Sequence, residues 1–291
     1  MTSQFIVAAI VTAIFFTGCG NTEKTPAVIS QASEASRDGR EAFAKGQVDE
    51  AYKAYGRALK LHRSVDDSAG IVRTLVNLAV VSKAAERISD AHVFLDAVDR
   101  YMATVDASTG PKHDDKDLNE ALAEASWMRA YLHARAGRID AAWAEIKRGK
   151  SRSGAQSGKA AGRFANLEAR LFFAAGDPVN SLAAARRAQR LNQRNDDDSE
   201  TADSWRFIGR ASMQTGDPSG AYDAFSKALT LDRKLGRPPK VVSDLLGMAE
   251  AARDAGRPDQ ARAWAERALT AAHAAGDAKG KAKALGIKRS L

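Results

Sequence analysis

The residues able to do chemistry are few and scattered. Five histidines, His62, His92, His113, His133 and His273, are spread along 291 residues, and no two have the i, i+4 spacing with which a helix presents a metal pair. A single cysteine, Cys19, excludes a disulfide framework and any multi-cysteine metal or iron–sulfur centre. The stretch from Gly154 through Gly158, Lys159 and Ala160 has the glycines and lysine of a phosphate-cradling loop. It is one residue short between the glycines, however, and Ala160 stands where a metal-binding hydroxyl is needed. Asp196-Asp197-Asp198 lacks the alternating oxygens and central glycine of a calcium loop. No Ser-His-Asp, paired-carboxylate or nucleotide-binding arrangement stands out, so the sequence predicts no enzyme, no cofactor and no metal. What remains is arginine. Arg163, Asn166 and Arg170 are spaced +3 and +4 and would share one face of a helix, and Arg206 and Arg210 repeat the i, i+4 step. Guanidinium forks hold carboxylates bidentately, and an asparagine can pair with the backbone of an extended peptide.

Helices must position these side chains. The chain has 59 alanines, seven prolines, a modest aromatic content and 44% apolar residues, enough to bury a core and biased toward helix rather than sheet. Aligned on Gly-x4-Ala, it repeats itself with turn positions at Gly46, Glu86, Gly137, Gly176, Gly216 and Gly256. A fixed period near 40 residues is the signature of a solenoid. Gly176-Asp177-Pro178 and Gly216-Asp217-Pro218 supply in order a left-handed stop, an N-cap and a proline at the first helical position. The best copy is Trp205, Ile208, Gly209, then Gly216, Ala221, Phe225, Ala228 and Leu229, which resembles a tetratricopeptide repeat (TPR). The copy with Gly39, Gly46, Ala51, Tyr55, Ala58 and Leu59 is nearly as good, and Asn77-Leu78-Ala79 with Ala91 marks the loosest.

The resemblance covers about residues 32–275 and implies an all-α, right-handed superhelical solenoid of about six helix-turn-helix repeats. A capping helix or basic tail is expected over 276–291. The family's usual closing proline is missing from every copy, so the second helix of each repeat is expected to run on, as in longer-period TPR arrays. Small residues such as Gly209 and Ala221 are expected where the two helices cross, with Trp205 and Phe225 in the wider gaps. The one long spacing maps to Val105–Leu118, rich in Gly, Pro and charge, which reads as a long loop between repeats two and three.

The resemblance also implies a concave groove lined by the first helix of each repeat. Carrying its lining positions onto the six copies places nine basic residues there, Arg40, Arg73, Lys83, Arg135 and Arg253 among them, against four acidic ones. The densest patch is Arg163, Asn166, Arg170, Arg206 and Arg210, with Arg73 and Asn77 on the second repeat. Trp127, Tyr131, Phe43 and Phe173 are candidate apolar anchors. Two functions fit: a scaffold holding an acidic or carboxylate-bearing segment of a cell-envelope protein, as in envelope, secretion or pilus assembly, or a module for a non-protein polyanion such as cell wall or lipopolysaccharide.

The first residues supply an address. Phe5 to Phe16 is an apolar run too short for the ~20 residues of a bilayer span but suited to a signal peptide. Phe16-Thr17-Gly18-Cys19 resembles the bacterial lipobox, in which the cysteine is lipidated and becomes the first residue. The resemblance implies a signal peptide over 1–18, lipid on Cys19, and, from Gly20, the periplasmic side of a Gram-negative outer membrane. A plain signal peptide and an N-terminal helix are the other readings. Residues 19–31 read as a tether that would hold the body within ~20 Å of the lipid. Net charge is +8, with no charged side chain in residues 1–18, so an exported mature protein carries the whole excess away from nucleic acid, and a monomer is expected. Incorporation of a palmitate analogue into the wild type, absent from Cys19→Ser, is the expected labelling result.

Overall fold

The fold follows from one short sentence of structure repeated along the chain: seventeen helical residues, then three in a turn. The structure is a computed structural model that describes residues 27–110, 115–152 and 158–291. The signal peptide and Cys19 lie outside the described residues, as do most of the tether and residues 153–157 of the Gly154–Ala160 stretch. Thirteen α-helices are described. The first six are α1 (Ala27–Ala44), α2 (Val48–Ser64), α3 (Ser68–Ala84), α4 (Ile88–Thr109), α5 (Lys116–Arg135) and α6 (Ile139–Lys150). They are followed by α7 (Lys159–Ala174), α8 (Pro178–Arg194), α9 (Asp198–Gln214), α10 (Pro218–Lys234), α11 (Pro238–Asp254), α12 (Pro258–Ala274) and α13 (Ala278–Arg289). No described helix is long and apolar enough to cross a membrane.

Each three-residue turn works by the same chemistry. Its middle residue adopts positive φ, at Gly46, Gly137, Gly176, Gly216 and Gly256 within repeats and at Gly236 and Gly276 between them. Glycine adopts this conformation without the Cβ penalty that Glu86, Asp66 and Asp196 bear at equivalent places. At half of these turns the third residue also caps the next helix: Asp67, Asp177, Asp197, Asp217 and Asp277 each accept a bond from the backbone N–H three residues on, whereas Gln47, Arg87, Arg138, Arg237 and Arg257 do not. Two such helix-turn units fill the period of 40.

Consecutive helices pack as antiparallel neighbours, and from α3 onward each odd-numbered helix also packs on the next odd one, through α5, α7, α9 and α11 to α13. The odd helices form a continuous inner layer. The even helices pack on the odd helices before and after them but not on one another, so the stack curves with the odd helices inside. The core between the layers is largely alanine, and Ala51, Ala91, Ala142, Ala185, Ala221 and Ala261 have no solvent exposure.

Three expectations are corrected. The predicted loop over 105–118 is mostly helix: α4 continues to Thr109, Gly110 ends it at φ 86, and Asp115 caps α5 at Lys116. Polar and acidic residues there ride on solvent faces of extended helices, which composition does not distinguish from loop. Helix α1 likewise begins at Ala27, inside the segment expected to be tether. The glycine contact also differs in its partner. Gly209 faces Phe225 rather than Ala221, and Gly247 of α11 faces the same ring from the other side. A Cβ would stand 2.9 Å from the ring at Gly209 and 2.7 Å at Gly247. Trp205 lies outside this sandwich, with Lys227 4.3 Å above its ring.

Phe225 therefore needs bare backbone on both sides. Gly209→Ala should destabilise the protein by about 1–3 kcal/mol through overpacking. In a Phe225→Ala background the same change should be neutral or stabilising by up to ~1 kcal/mol, because alanine is the better helix former. Urea denaturation of the four proteins measures this coupling.

Candidate functional site: a cationic groove on the inner helices

Five consecutive inner helices enclose a cavity of about 340 Å³ on the concave face. Its lining is Lys83 from α3, Trp127 and Tyr131 from α5, Arg163, Asn166, Leu167 and Arg170 from α7, Glu200, Asp203, Arg206, Phe207 and Arg210 from α9, and Lys240 from α11. Six cations thus face two carboxylates. Arg73 and Asn77 lie on α3 outside this cavity, Phe43 packs beside α2 in the first repeat, and Phe173 does not reach the lining.

The cations divide into two groups. Arg163 is held by acids, with Glu124 at 3.3 Å, Asp197 at 3.6 Å and Glu200 at 3.8 Å, and its guanidinium sits 5.3 Å over Trp127. Burial pushes the Glu124 and Glu200 carboxyls above their ordinary range, and Arg163 draws both back. Lys240 pairs with Asp203 at 3.0 Å. Burial alone would raise Asp203, but Lys240, Arg206 and Arg237 surround it and hold it below the usual range. Arg206 is only 4% exposed and lies in the groove floor. It donates from Nε to Asp244 at 2.7 Å and also binds Asp203 and Asp232. Asp232 and Asp244 are both fully buried.

Lys83, Arg170 and Arg210 form the second group. None has an ion-pair partner among the described residues. Each rests on an aromatic ring instead: Lys83 at 5.1 Å and Arg170 at 5.4 Å from the centroid of Tyr131, and Arg210 at 5.8 Å from that of Phe207. Their like charges face one cavity.

Residues 161–236, which carry α7 to α10, match the tetratricopeptide repeat family model. These residues therefore carry tetratricopeptide repeats, and the rest of the solenoid shares their fold. The solenoid is similar to that of BtubC (BKLC) from P. vanneervenii, at 18% identity and TM-score 0.57, covering 87% of this chain and 93% of that one. The TPR-sensor signal-transduction ATPase of Pyrococcus horikoshii is similar at 11% identity and TM-score 0.65, covering 90% and 38%. The Cut9–Hcn1 hetero-tetramer of APC/C gives 12% identity and TM-score 0.67, covering 89% and 42%. Among curated proteins, none matches.

Of the side chains singled out in the sequence, the groove gathers Arg163, Asn166, Arg170, Arg206 and Arg210, but only two of them are free to meet a ligand. Asn166, 5% exposed, donates to the Glu200 backbone at 3.0 Å and side chain at 2.8 Å, and accepts from Ser204 at 2.8 Å, so it has nothing left for a peptide backbone. Arg206 is consumed by acids. Lys83, already among the basic groove positions, also lines the cavity, and Leu167, Glu200, Phe207 and Lys240 join it without having been singled out. The missed signal lies down the repeat columns: Asn166, Asn192 and Ser204 of one junction occupy the places of Arg206, Asp232 and Asp244 in the next, each member 40 residues on. A third junction has Leu246, Ala272 and Ala284 at these places, packed in one apolar cluster.

The column separates structural arginine from free arginine experimentally. Arg206→Ala leaves Asp232 and Asp244 buried without their cation and should cost about 3–5 kcal/mol, whereas Arg210→Ala should stay within about 0.5 kcal/mol. The triple change Arg206→Leu, Asp232→Ala and Asp244→Ala copies the third junction and should recover more than half of the loss in a denaturation measurement.

Proposed function

We propose that the groove holds an acidic or carboxylate-bearing segment of a protein partner, and that a lipid on Cys19 keeps this scaffold on the periplasmic side of a bacterial outer membrane for envelope, secretion or pilus assembly. The observation that carries the reading is the convergence of Lys83, Arg170 and Arg210 on one cavity, none of them in an ion pair among the described residues. Like charges held together raise the energy of the empty site, and a multi-oxygen anion relieves it. Trp127, Tyr131 and Phe207 add flat apolar surface beside the charges, which suits a peptide with side chains more than a bare polymer. The cavity is bounded, and Glu200 and Asp203 interrupt its positive lining, which disfavours a long polyanion. The Cut9–Hcn1 assembly, of the same fold, holds a protein partner. We read the chain as a binding protein and not an enzyme.

Reversing Lys83, Arg170 and Arg210 to Glu should abolish capture of an acidic partner from envelope extracts and weaken an acidic model peptide by at least about a hundredfold, with little change in stability. Retained capture removes the groove assignment. A salt titration with a log K slope of about −1 to −3 is expected for a docked segment; a steeper slope indicates a polyanion.

A further inference from the structure

Beneath the free cations lies a titratable pair that the binding reading does not use. Asp232 of α10 and Asp244 of α11 are fully buried, and both bind Arg206, whose Nη2 donates to an oxygen of each carboxyl. Two carboxylates in that relation can share a proton. The groups around them can be counted. Helix α9 contributes Asp203 and Arg206, the turn before α11 contributes Arg237, which binds Asp232, and α11 contributes Lys240. The faces that α12 and α13 bury carry Ala265, Ala268 and Ala272, and Gly280, Ala284 and Ile287, so neither helix buries a charge against α11. Glu266 and Arg267 of α12 are exposed, as is Lys283 of α13, while Lys281 and Lys288 are half-buried. The buried set therefore holds three cations against three carboxylates, neutral when both members of the pair are ionised and +1 when they share a proton.

That charge reaches the groove. Arg210, one of the free cations, has Asp244 and Asp203 as its acidic neighbours through space and Arg206 and Arg170 as its like-charged ones. We propose that the Asp232–Asp244 pair is a proton-linked regulator of the groove: taking up a proton releases Arg210 from acidic attraction and strengthens the hold on an anionic segment, and binding the segment draws the proton in. Burial, opposed by Arg206 and reinforced by Asp232, pushes Asp244 up to about 7. Among the described residues no histidine lines the cavity, and the other carboxyls that burial raises, Glu200 in the lining and Glu124 beside it, are both paired with Arg163. The proposal rests on the groove as an anion site.

The test is calorimetric titration of the full chain with an acetylated, amidated hexaglutamate, whose own charge is constant above about pH 6. Wild type should bind about five-fold tighter at about pH 6 than at about pH 8.5, as expected for one elementary charge across a solvated groove. Near pH 7, buffers of different ionisation enthalpy should report uptake of a fraction of a proton, a readout that needs no variant. Asp244→Asn should bind at both pH values as tightly as wild type at the lower one, without proton exchange. Binding that is flat with pH in wild type, or an unchanged pH dependence in Asp244→Asn, overturns the regulator and leaves the groove assignment standing. No binding at any pH overturns both.

Discussion

Arg206 is the point on which the inner layer turns. Its guanidinium sits where α9, α10 and α11 meet, and its three carboxylate partners come from those three helices. A cation this deeply buried loses hydration that only well-placed acids can return, so the three helices are constrained to one relative placement. Arg237 completes the set by reaching from the α10–α11 turn to Asp232 and to Asp203. With the acids on this side of the groove committed to the floor, the cations at its mouth are left without partners.

The same three places in the repeat solve the junction problem in chemically distinct ways. Between the fourth and fifth repeats they hold an uncharged network in which Ser204 donates to Asn166 and Asn192 donates to Ser204 at 3.1 Å. One repeat later they hold an ion cluster, and one repeat after that an apolar contact. Each demands its own neighbours. Gly162 leaves room for Asn192, since a Cβ there would stand 1.8 Å from Oδ1. These solutions are not interchangeable singly, because an arginine opposite an alanine, or an aspartate opposite an asparagine, leaves a buried group unsatisfied. Unlike keys at successive junctions of a nearly periodic chain oppose out-of-register stacking, the failure to which identical repeats are open.

Much of this architecture was legible because local chemistry and long-range packing agree. A glycine, an aspartate and a proline in a row specify turn, cap and helix start with no tertiary information, and the spacing of such triplets fixes the layer order. The helices around Gly110 were illegible because solvent-facing helix and loop share a composition. The site was half legible for a related reason. Spacing along one helix reports which face a side chain occupies but not what stands across from it. Arg206 and Arg210 share a face; one turn of helix separates a buried ion cluster from an open groove mouth, and the acids that decide the matter come from α10 and α11.

Aromatic rings complete the argument about charge. A cation waiting for a ligand would ordinarily be solvated and mobile, and ordering its side chain on binding costs about 1–2 kcal/mol. Tyr131 holds two such cations against its ring, Lys83 from α3 and Arg170 from α7, and Phe207 holds Arg210. A ring quadrupole attracts a cation without neutralising it, whereas a carboxylate partner would cancel the charge it held. Part of the ordering cost is thereby met before a ligand arrives, while the full positive charge remains to attract one. This distinguishes Lys83, Arg170 and Arg210 from Arg163, which rests on Trp127 but is also surrounded by three acids. On the reading proposed above, the groove cations that face rings without an acid carry the binding, and the net charge of the chain says little about it.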